Sequence, residues 1–341
     1  MSDHHEAMLW TTGPDDRIEC NLCGQACRIP SGQYGRCRVR LNVDGALVTT
    51  NYDSLVAMHV DPIEKKPLFH FLPGSRSLSI AAPGCNFQCD FCQNWRISQA
   101  PQTNSGPIGE AIDPGQIVSA AIGHDCASIS YTYTEPTVFF ELAYDTARLA
   151  HPAGLRNCFV SNGFMTPQAV EMIAPYLDAI NVDLKSFRQR TYRTVMKASL
   201  APVLECLKAV VHEGVWLEVT TLVVPGMNDS PQELGDIAEF IASELGVGVP
   251  WHVSRFHGDY NMQDKPATPL ATLETACNLG AAAGLKYVYC GNVLNGHGQS
   301  TYCNSCGAMV IERVGFSVGG MHLQNGSCAK CGQQIDGIWA L

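Results

Sequence analysis

Seven short apolar or alternating runs recur through the middle of this 341-residue chain, at 77–82, 128–133, 157–161, 178–184, 216–224, 250–256 and 285–290. Stretches of helical pattern separate them. Four of those stretches open with the same pair, a capping residue and then proline: Asp113-Pro114, Thr166-Pro167, Ser230-Pro231 and Thr268-Pro269. The capping side chain accepts from the free N–H groups of a helix start, and proline at the first helical position has no N–H to lose. Strand and helix alternating over roughly 200 residues call for a parallel sheet with crossover helices. The count falls short of the eight units of a closed barrel. The expected fold class is therefore α/β, a partial (β/α)6 TIM-type barrel. A doubly wound sheet competes with it, but no Gly-x-Gly-x-x-Gly follows the first run.

In such folds the carboxyl ends of the strands share one face, where ligands bind. The distinctive polar residues fall there. Cys85–Cys92 follows the first run, Thr134-Glu135-Pro136 the second and Ser161-Asn162-Gly163 the third. Asp183-Leu184-Lys185 ends the fourth, Pro225-Gly226-Met227-Asn228 follows the fifth, His257 the sixth and Gly291-Asn292 the seventh. Any one of these is an ordinary turn or cap. Together they make one face rich in thiol, carboxylate, amide and imidazole.

Three and then two residues separate Cys85, Cys89 and Cys92. A helix would string them along one side, and a strand would send Cys89 and Cys92 to opposite faces. A loop wrapped around a ligand lets all three thiolates converge, and soft thiolates at that density select an iron–sulfur cluster or zinc. A cubane cluster normally takes four cysteines, so three leave one iron open to a non-protein ligand.

Thirteen other cysteines are present among the 16 in the chain. Cys20, Cys23, Cys27 and Cys37 form one set, with structural zinc as the first reading and an auxiliary iron–sulfur cluster as the alternative. Cys303, Cys306, Cys328 and Cys331 have zinc-ribbon spacing, each pair followed by glycine. Cys126, Cys158, Cys206, Cys277 and Cys290 lie in apolar surroundings and read as small buried hydrophobes. Residues 38–50 alternate around Asp44-Gly45 as a β-hairpin. Prolines bracket the charges of Asp61-Pro62-Ile63-Glu64-Lys65-Lys66-Pro67, so an irregular loop is expected, with Lys65 or Lys66 available to an anionic group. His4 and His5 read as part of a solvated tail.

The cysteine spacing, with Phe91 just before the third cysteine, resembles the signature of radical SAM enzymes. That resemblance implies a [4Fe-4S] cluster on Cys85, Cys89 and Cys92, whose open iron binds the amino and carboxylate groups of S-adenosylmethionine. It also implies reductive cleavage of that cofactor to methionine and a 5′-deoxyadenosyl radical. From Ser77 to about His257 the chain is similar to the pyruvate formate-lyase activating enzyme group. Glu135 falls at the glutamate of that group's Gly-Gly-Glu, although Tyr133-Thr134 replaces the glycines. Val160-Ser161-Asn162-Gly163 matches Asp-Thr-Asn-Gly without its carboxylate, which places Ser161 and Asn162 beside the cofactor. Asp183-Leu184-Lys185 matches Asp-Leu-Lys, implying Asp183 as a cation ligand and Lys185 as a partner of the cofactor carboxylate. His257 falls where the group has a histidine near the adenosyl part.

Over nearly the whole length the chain resembles the radical SAM protein of the AmmeMemoRadiSam system. The residues that carry this are Cys20-x2-Cys23-x3-Cys27, Asp61 to Pro67, His70-Phe-Leu-Pro-Gly74, Gly84-Cys-Asn-Phe87, Cys92-Gln-Asn-Trp95 and Tyr289-Cys-Gly-Asn292. That resemblance implies Memo- and AMMECR-type partners and leaves the substrate unidentified. A flavodoxin or ferredoxin is the expected electron donor. A glycyl-radical-enzyme activase is the second functional reading, and a non-catalytic zinc-bound interaction module is a third, of another class.

A net charge of −10 argues against binding a nucleic-acid backbone. There is no basic region followed by an apolar run at the start and no apolar run of membrane-spanning length. A monomeric cytoplasmic chain is expected, with a Cys-rich N-terminal module at 1–76, the barrel at 77–295 and a C-terminal four-cysteine module at 296–341.

Overall fold

The computed structural model describes residues 5–13, 17–103, 108–293 and 298–340. Its centre is an eight-stranded sheet in sequential order. Strand β1 (Ala57–Pro62) pairs antiparallel with β2 (Arg76–Ala81). The remaining strands run parallel: β3 (Ser128–Tyr131), β4 (Arg156–Ser161), β5 (Ala179–Asp183), β6 (Trp216–Val223), β7 (Trp251–Arg255) and β8 (Val288–Gly291). The six parallel strands from β2 to β7 are the expected partial barrel. The last apolar run forms β8, which extends it by one strand, and β1 covers the opposite edge.

Helices cross between the strands: Pro114–Gly123, Phe140–Ala150, Pro167–Ile173, Ala201–His212, Pro231–Phe240 and Leu270–Ala282. Three of the four cap signals operate as read. Asp113 and Gln116 form a reciprocal capping box, with both bonds at 3.0 Å. Thr166 accepts from the Ala169 N–H, and Ser230 from the Glu233 N–H, each at 3.3 Å. Thr268 is the exception. Its hydroxyl instead donates to the Val223 carbonyl at 2.6 Å and accepts from the Phe256 N–H at 2.8 Å, tying the ends of β6 and β7 together. The helix then starts at Leu270 without a side-chain cap.

Asp61–Pro67 is more regular than its prolines suggest. Asp61 and Pro62 close the edge strand β1, where a missing N–H is tolerated, and Ile63–Lys65 makes a 3-10 turn. The hairpin at Arg40–Val43 and Ala46–Thr49 forms around Asp44 and Gly45, both with positive φ. Cys126, Cys158 and Cys206 are buried as expected, but Cys277 and Cys290 are half-buried and face each other, with sulfurs 2.7 Å apart. His5 stacks on Tyr52. His4 lies outside the described residues, as does the expected module boundary at 295/296.

Glu218, Thr220 and Leu222 alternate onto one face of β6. Below Thr220, the fully buried Glu218 carboxylate accepts from Phe69 N–H (3.0 Å), His70 N–H (2.7 Å) and Trp216 Nε1 (3.1 Å), and lies 2.6 Å from His252 Nε2. His70 in turn reaches the Asp336 carbonyl and Tyr289 hydroxyl. Arg313, also buried, donates to the Phe69 carbonyl and to Thr301. The His70-Phe-Leu-Pro-Gly74 stretch therefore fastens the C-terminal module to the sheet.

Acid should loosen this joint. Burial pushes the His70 imidazole down to about 4, against about 6.5 in the unfolded chain. The unfolded state thus takes up a proton first as pH falls, so the stability tied to neutral His70 is present above about pH 6.5 and lost on the way to pH 4. The loss amounts to about 3 kcal/mol. Glu218 acts in the same sense at lower pH. Burial would raise its carboxyl, but His252 outweighs that and holds it below the usual range. The urea midpoint is expected to fall between pH 7 and pH 4.5, and His70→Gln to flatten that slope. An equal slope in the variant would refute the assignment.

Candidate active site

The loop after β2 turns sharply at Gly84, whose φ of 112° suits glycine, and an added Cβ there would meet Val138 at 3.0 Å and Val39 at 3.1 Å. Backbone bonds then pin the loop, from Gln88 N–H to the Met196 carbonyl and from Asp90 N–H to the Val195 carbonyl. The buried Phe87 ring wedges against Phe164 and Tyr192. Cys85, Cys89 and Cys92 thereby line one cavity of about 510 Å³ at the carboxyl ends of the strands. That volume lies within the range of ligand pockets for a molecule of cofactor size.

Two of the three thiols meet hydrogen-bonding groups. Phe87 N–H donates to Cys85 Sγ at 3.4 Å and Asn162 Nδ2 at 3.7 Å, and Ser98 Oγ lies 3.4 Å from Cys92 Sγ. Burial raises the Cys85 thiol well above its ordinary pKa and pushes Cys89 up to about 12, against the pull of Lys185. Alone, such thiols hold their protons at neutral pH. A soft cation that displaces those protons fits the site, and the N–H···S donors suit the anionic sulfur it would leave.

The same cavity is lined by Phe91, Glu135, Ser161, Asn162, Asp183 and Lys185. Glu135 is 1% exposed and braces the neighbouring strand end. Its Oε1 accepts from Thr137 Oγ1 (2.6 Å), Thr137 N–H (3.1 Å) and Ser161 Oγ (2.8 Å), and its Oε2 from Asn162 N–H (2.8 Å). Asn162 then bridges to Asn86 Oδ1 at 2.7 Å, which fixes the Cys85 turn. Lys185 Nζ donates to Asp183 Oδ2 at 2.7 Å and lies 5.9 Å from the centre of the Phe91 ring. Burial alone would lower the Lys185 pKa, but the Asp183 carboxylate holds it above the ordinary lysine value. It stays a cation throughout the physiological range.

Tyr133, where a glycine would be expected, has φ of 64°. The left-handed path that glycine adopts freely is thus kept by a tyrosine, at a strain of about 1–2 kcal/mol. Its hydroxyl bonds to Asp61, and Lys66 Nζ lies 4.8 Å from its ring centre. Lys65 and Lys66 both line the cavity, each paired with Asp61, at 2.8 and 2.6 Å. Burial lowers Lys66 to about 8, against the opposing pull of Asp61. Two cations on one carboxylate leave that wall net positive.

His257 differs from expectation. It is exposed, outside the cavity wall, and its Nε2 lies 2.9 Å from the amide of Gln93, which does line the cavity. The strand ends at Arg255, and the exposed imidazole stands beside Gln93 at the edge of the cavity. Thr220, Leu222 and Ser254 line the cavity and were not singled out from the sequence. The alternation on β6 and β7 contains that signal, since they share a face with Glu218 and His252.

Cys303, Cys306, Cys328 and Cys331 form a separate centre. Their sulfurs all lie within 4.8 Å of one another, with Cys303 to Cys331 at 3.6 Å and Cys306 to Cys328 at 3.8 Å. A tetrahedral zinc with bonds of about 2.3 Å separates its sulfurs by about 3.8 Å, so the set fits zinc.

The radical SAM superfamily matches residues 79–241. Over 333 residues, 97% of this chain and 98% of the other, the sequence is 43% identical to a protein of Methanocaldococcus jannaschii described only as uncharacterised. It is 22% identical over 228 residues to the FeMo cofactor biosynthesis protein NifB of Azotobacter vinelandii, covering 58% of this chain and 45% of that one. The fold is similar to that of Streptococcus suis SuiB bound to S-adenosylmethionine, with a TM-score of 0.51 at 13% identity, over 71% of this chain and 56% of SuiB.

Proposed function

Because this chain belongs to the radical SAM superfamily and is a radical SAM enzyme, we propose that Cys85, Cys89 and Cys92 hold its [4Fe-4S] cluster and that S-adenosylmethionine occupies the adjoining cavity. One observation carries this reading: three thiols from a single pinned loop share a cavity with Lys185, Asp183 and Glu135 at the strand ends. When bound, the cluster and S-adenosylmethionine supply a 5′-deoxyadenosyl radical by reductive cleavage.

The chain's own residues bind and orient. Glu135 locks the Ser161-Asn162 turn against Asn86 and so fixes the direction of Cys85. Lys185, kept charged and aligned by Asp183, receives the cofactor carboxylate. The lysine pair on Asp61 offers a second positive wall for an anionic group. His257, on the rim with Gln93, flanks the entrance. The second substrate is unassigned. Memo- and AMMECR-type proteins are the proposed partners, supported by the Asp61–Pro67, His70–Gly74 and Tyr289–Asn292 stretches, and a flavodoxin or ferredoxin the proposed donor. The cytoplasm is the proposed location; no helix among the described residues is long and apolar enough to cross a membrane.

The test is direct. Anaerobically reconstituted protein, reduced in the presence of S-adenosylmethionine, is expected to release 5′-deoxyadenosine and methionine. A loaded, reduced protein that releases neither would overturn the reading. Lys185→Met is expected to weaken S-adenosylmethionine binding by about 2–5 kcal/mol, roughly 30-fold to several thousand-fold, with iron content unchanged. Equal affinity in equilibrium binding would remove Lys185 from the cofactor site. Purified Memo- and AMMECR-type proteins should co-elute with the full chain; separate elution of each would dismiss them as stable partners.

A further inference from the structure

We infer that Cys20, Cys23, Cys27 and Cys37 hold a second, fully protein-ligated iron–sulfur cluster of the cubane type. The chain contains its own standard for a single-ion site. Among the described residues, the one set of three or more candidate ligands with donor atoms all within 4.8 Å is Cys303, Cys306, Cys328 and Cys331. The N-terminal four do not gather in that way, and neither do Cys85, Cys89 and Cys92. They stand instead around a hollow, all four lining one small cavity with Leu22, Ile29 and Val138 in its wall. A single zinc draws its thiolates nearly into contact, whereas a cubane puts four irons and their sulfides between them.

The wide spacing is held by backbone structure. Cys20 ends the strand Ile18–Cys20, and its N–H donates to the Cys27 carbonyl at 2.9 Å. Cys23 bridges to Met165, and the Gly24 N–H donates to the Phe164 carbonyl at 2.9 Å. Gly35 N–H donates to the Arg40 carbonyl at 2.7 Å, next to Cys37. Cys20 and Cys27 are thus tied to each other, Cys23 to the Phe164–Met165 segment, and Cys37 stands within the Gly35–Arg40 turn, so three separate anchors place the four thiols.

The wall also offers donors to an anion. Arg36 N–H lies 3.5 Å from Cys27 Sγ. Arg40, 1% exposed, lines the cavity and donates from one terminal nitrogen to Cys20 Sγ at 3.7 Å, while its other terminal nitrogen pairs with Glu141. Its Nε is buried without a hydrogen-bond partner. Through its contact with Cys20 Sγ this guanidinium brings a buried positive charge to the thiolates of an anionic cluster. Asn86 lines this cavity as well, while its neighbours Cys85 and Phe87 line the larger one. The two sites are therefore separated by one residue of chain.

The inference goes beyond the proposed function and stands without it. The full chain carrying Cys85→Ala, Cys89→Ala and Cys92→Ala together, reconstituted anaerobically with iron and sulfide, is the test. It should retain about four irons and four sulfides, with about one zinc, and show a cluster signal in electron paramagnetic resonance after dithionite reduction. The wild type should carry about eight irons. A triple variant with no iron would overturn the inference, whether it holds about two zincs or one. Paired Cys20→Ser and Cys37→Ser substitutions should halve the wild-type iron; if that variant fails to fold, the triple variant still decides. Full iron retention in the triple variant would instead count against the reading of Cys85–Cys92.

Discussion

Cys89→Ala is expected to abolish 5′-deoxyadenosine release and to remove about four irons per chain. The reason lies in the geometry of the loop. Cys89 is the middle and most buried of the three thiols, at 8% exposure, and its backbone neighbours Gln88 and Asp90 are both tied to the Tyr192–Met196 turn. Beyond these three no described cysteine lines that cavity, so no described thiol stands there to replace Cys89. The loss should be specific. Cys206→Ala removes a fully buried thiol on the helix Ala201–His212, and should cost only about 1–2 kcal/mol of stability while leaving product release intact. Chromatographic detection of 5′-deoxyadenosine beside an iron assay separates the two. Product release at wild-type rate from Cys89→Ala would end the assignment of this loop.

Glu218→Ala should be the most damaging substitution away from the cavity. Its carboxylate has no exposed surface and joins four donors, from Phe69, His70, Trp216 and His252. Removing it strands two buried peptide N–H groups and a histidine at once. Breaking one buried ionic contact costs about 3–5 kcal/mol, and each orphaned N–H about 1–3 kcal/mol. Relaxation and water entry absorb part of this, so a loss on the order of 4 kcal/mol is expected. Glu218→Gln keeps an acceptor for the peptide N–H groups and should lose roughly half as much. The comparison is made by denaturant unfolding of the metal-loaded protein. A deficit below about 1 kcal/mol for the alanine variant would show that the C-terminal module is fastened elsewhere.

Glu218 shows why part of the fold escaped the sequence. One glutamate in an apolar strand carries no local signature, and its partners lie about 150 and 35 residues away along the chain. The same holds for Thr220 and Ser254, whose side chains face the cavity only because β6 and β7 alternate in register. Tyr133 is a sharper case. Tyr133-Thr134 replaces the glycines of the motif, yet Tyr133 keeps a left-handed path, with its hydroxyl on Asp61 and the Lys66 ammonium against its ring. His257 follows β7 on the expected face, but its imidazole is exposed and meets the cavity only through Gln93.

The sequence by itself determined the order of strands and helices, three of the helix starts and the position of Cys85–Cys92 at the carboxyl end of the first parallel strand. These follow from side-chain periodicity and capping chemistry, which act over a few residues. The tertiary structure decided how far apart the thiols of each cysteine set stand. Cys20–Cys37 and Cys303–Cys331 have similar composition, and both read first as zinc. The C-terminal sulfurs close to within 3.6–3.8 Å in two pairs, while the N-terminal four are held apart around a cavity. The distance between thiols is set by the strands, turns and distant peptide groups that anchor them, and spacing along the chain does not encode it.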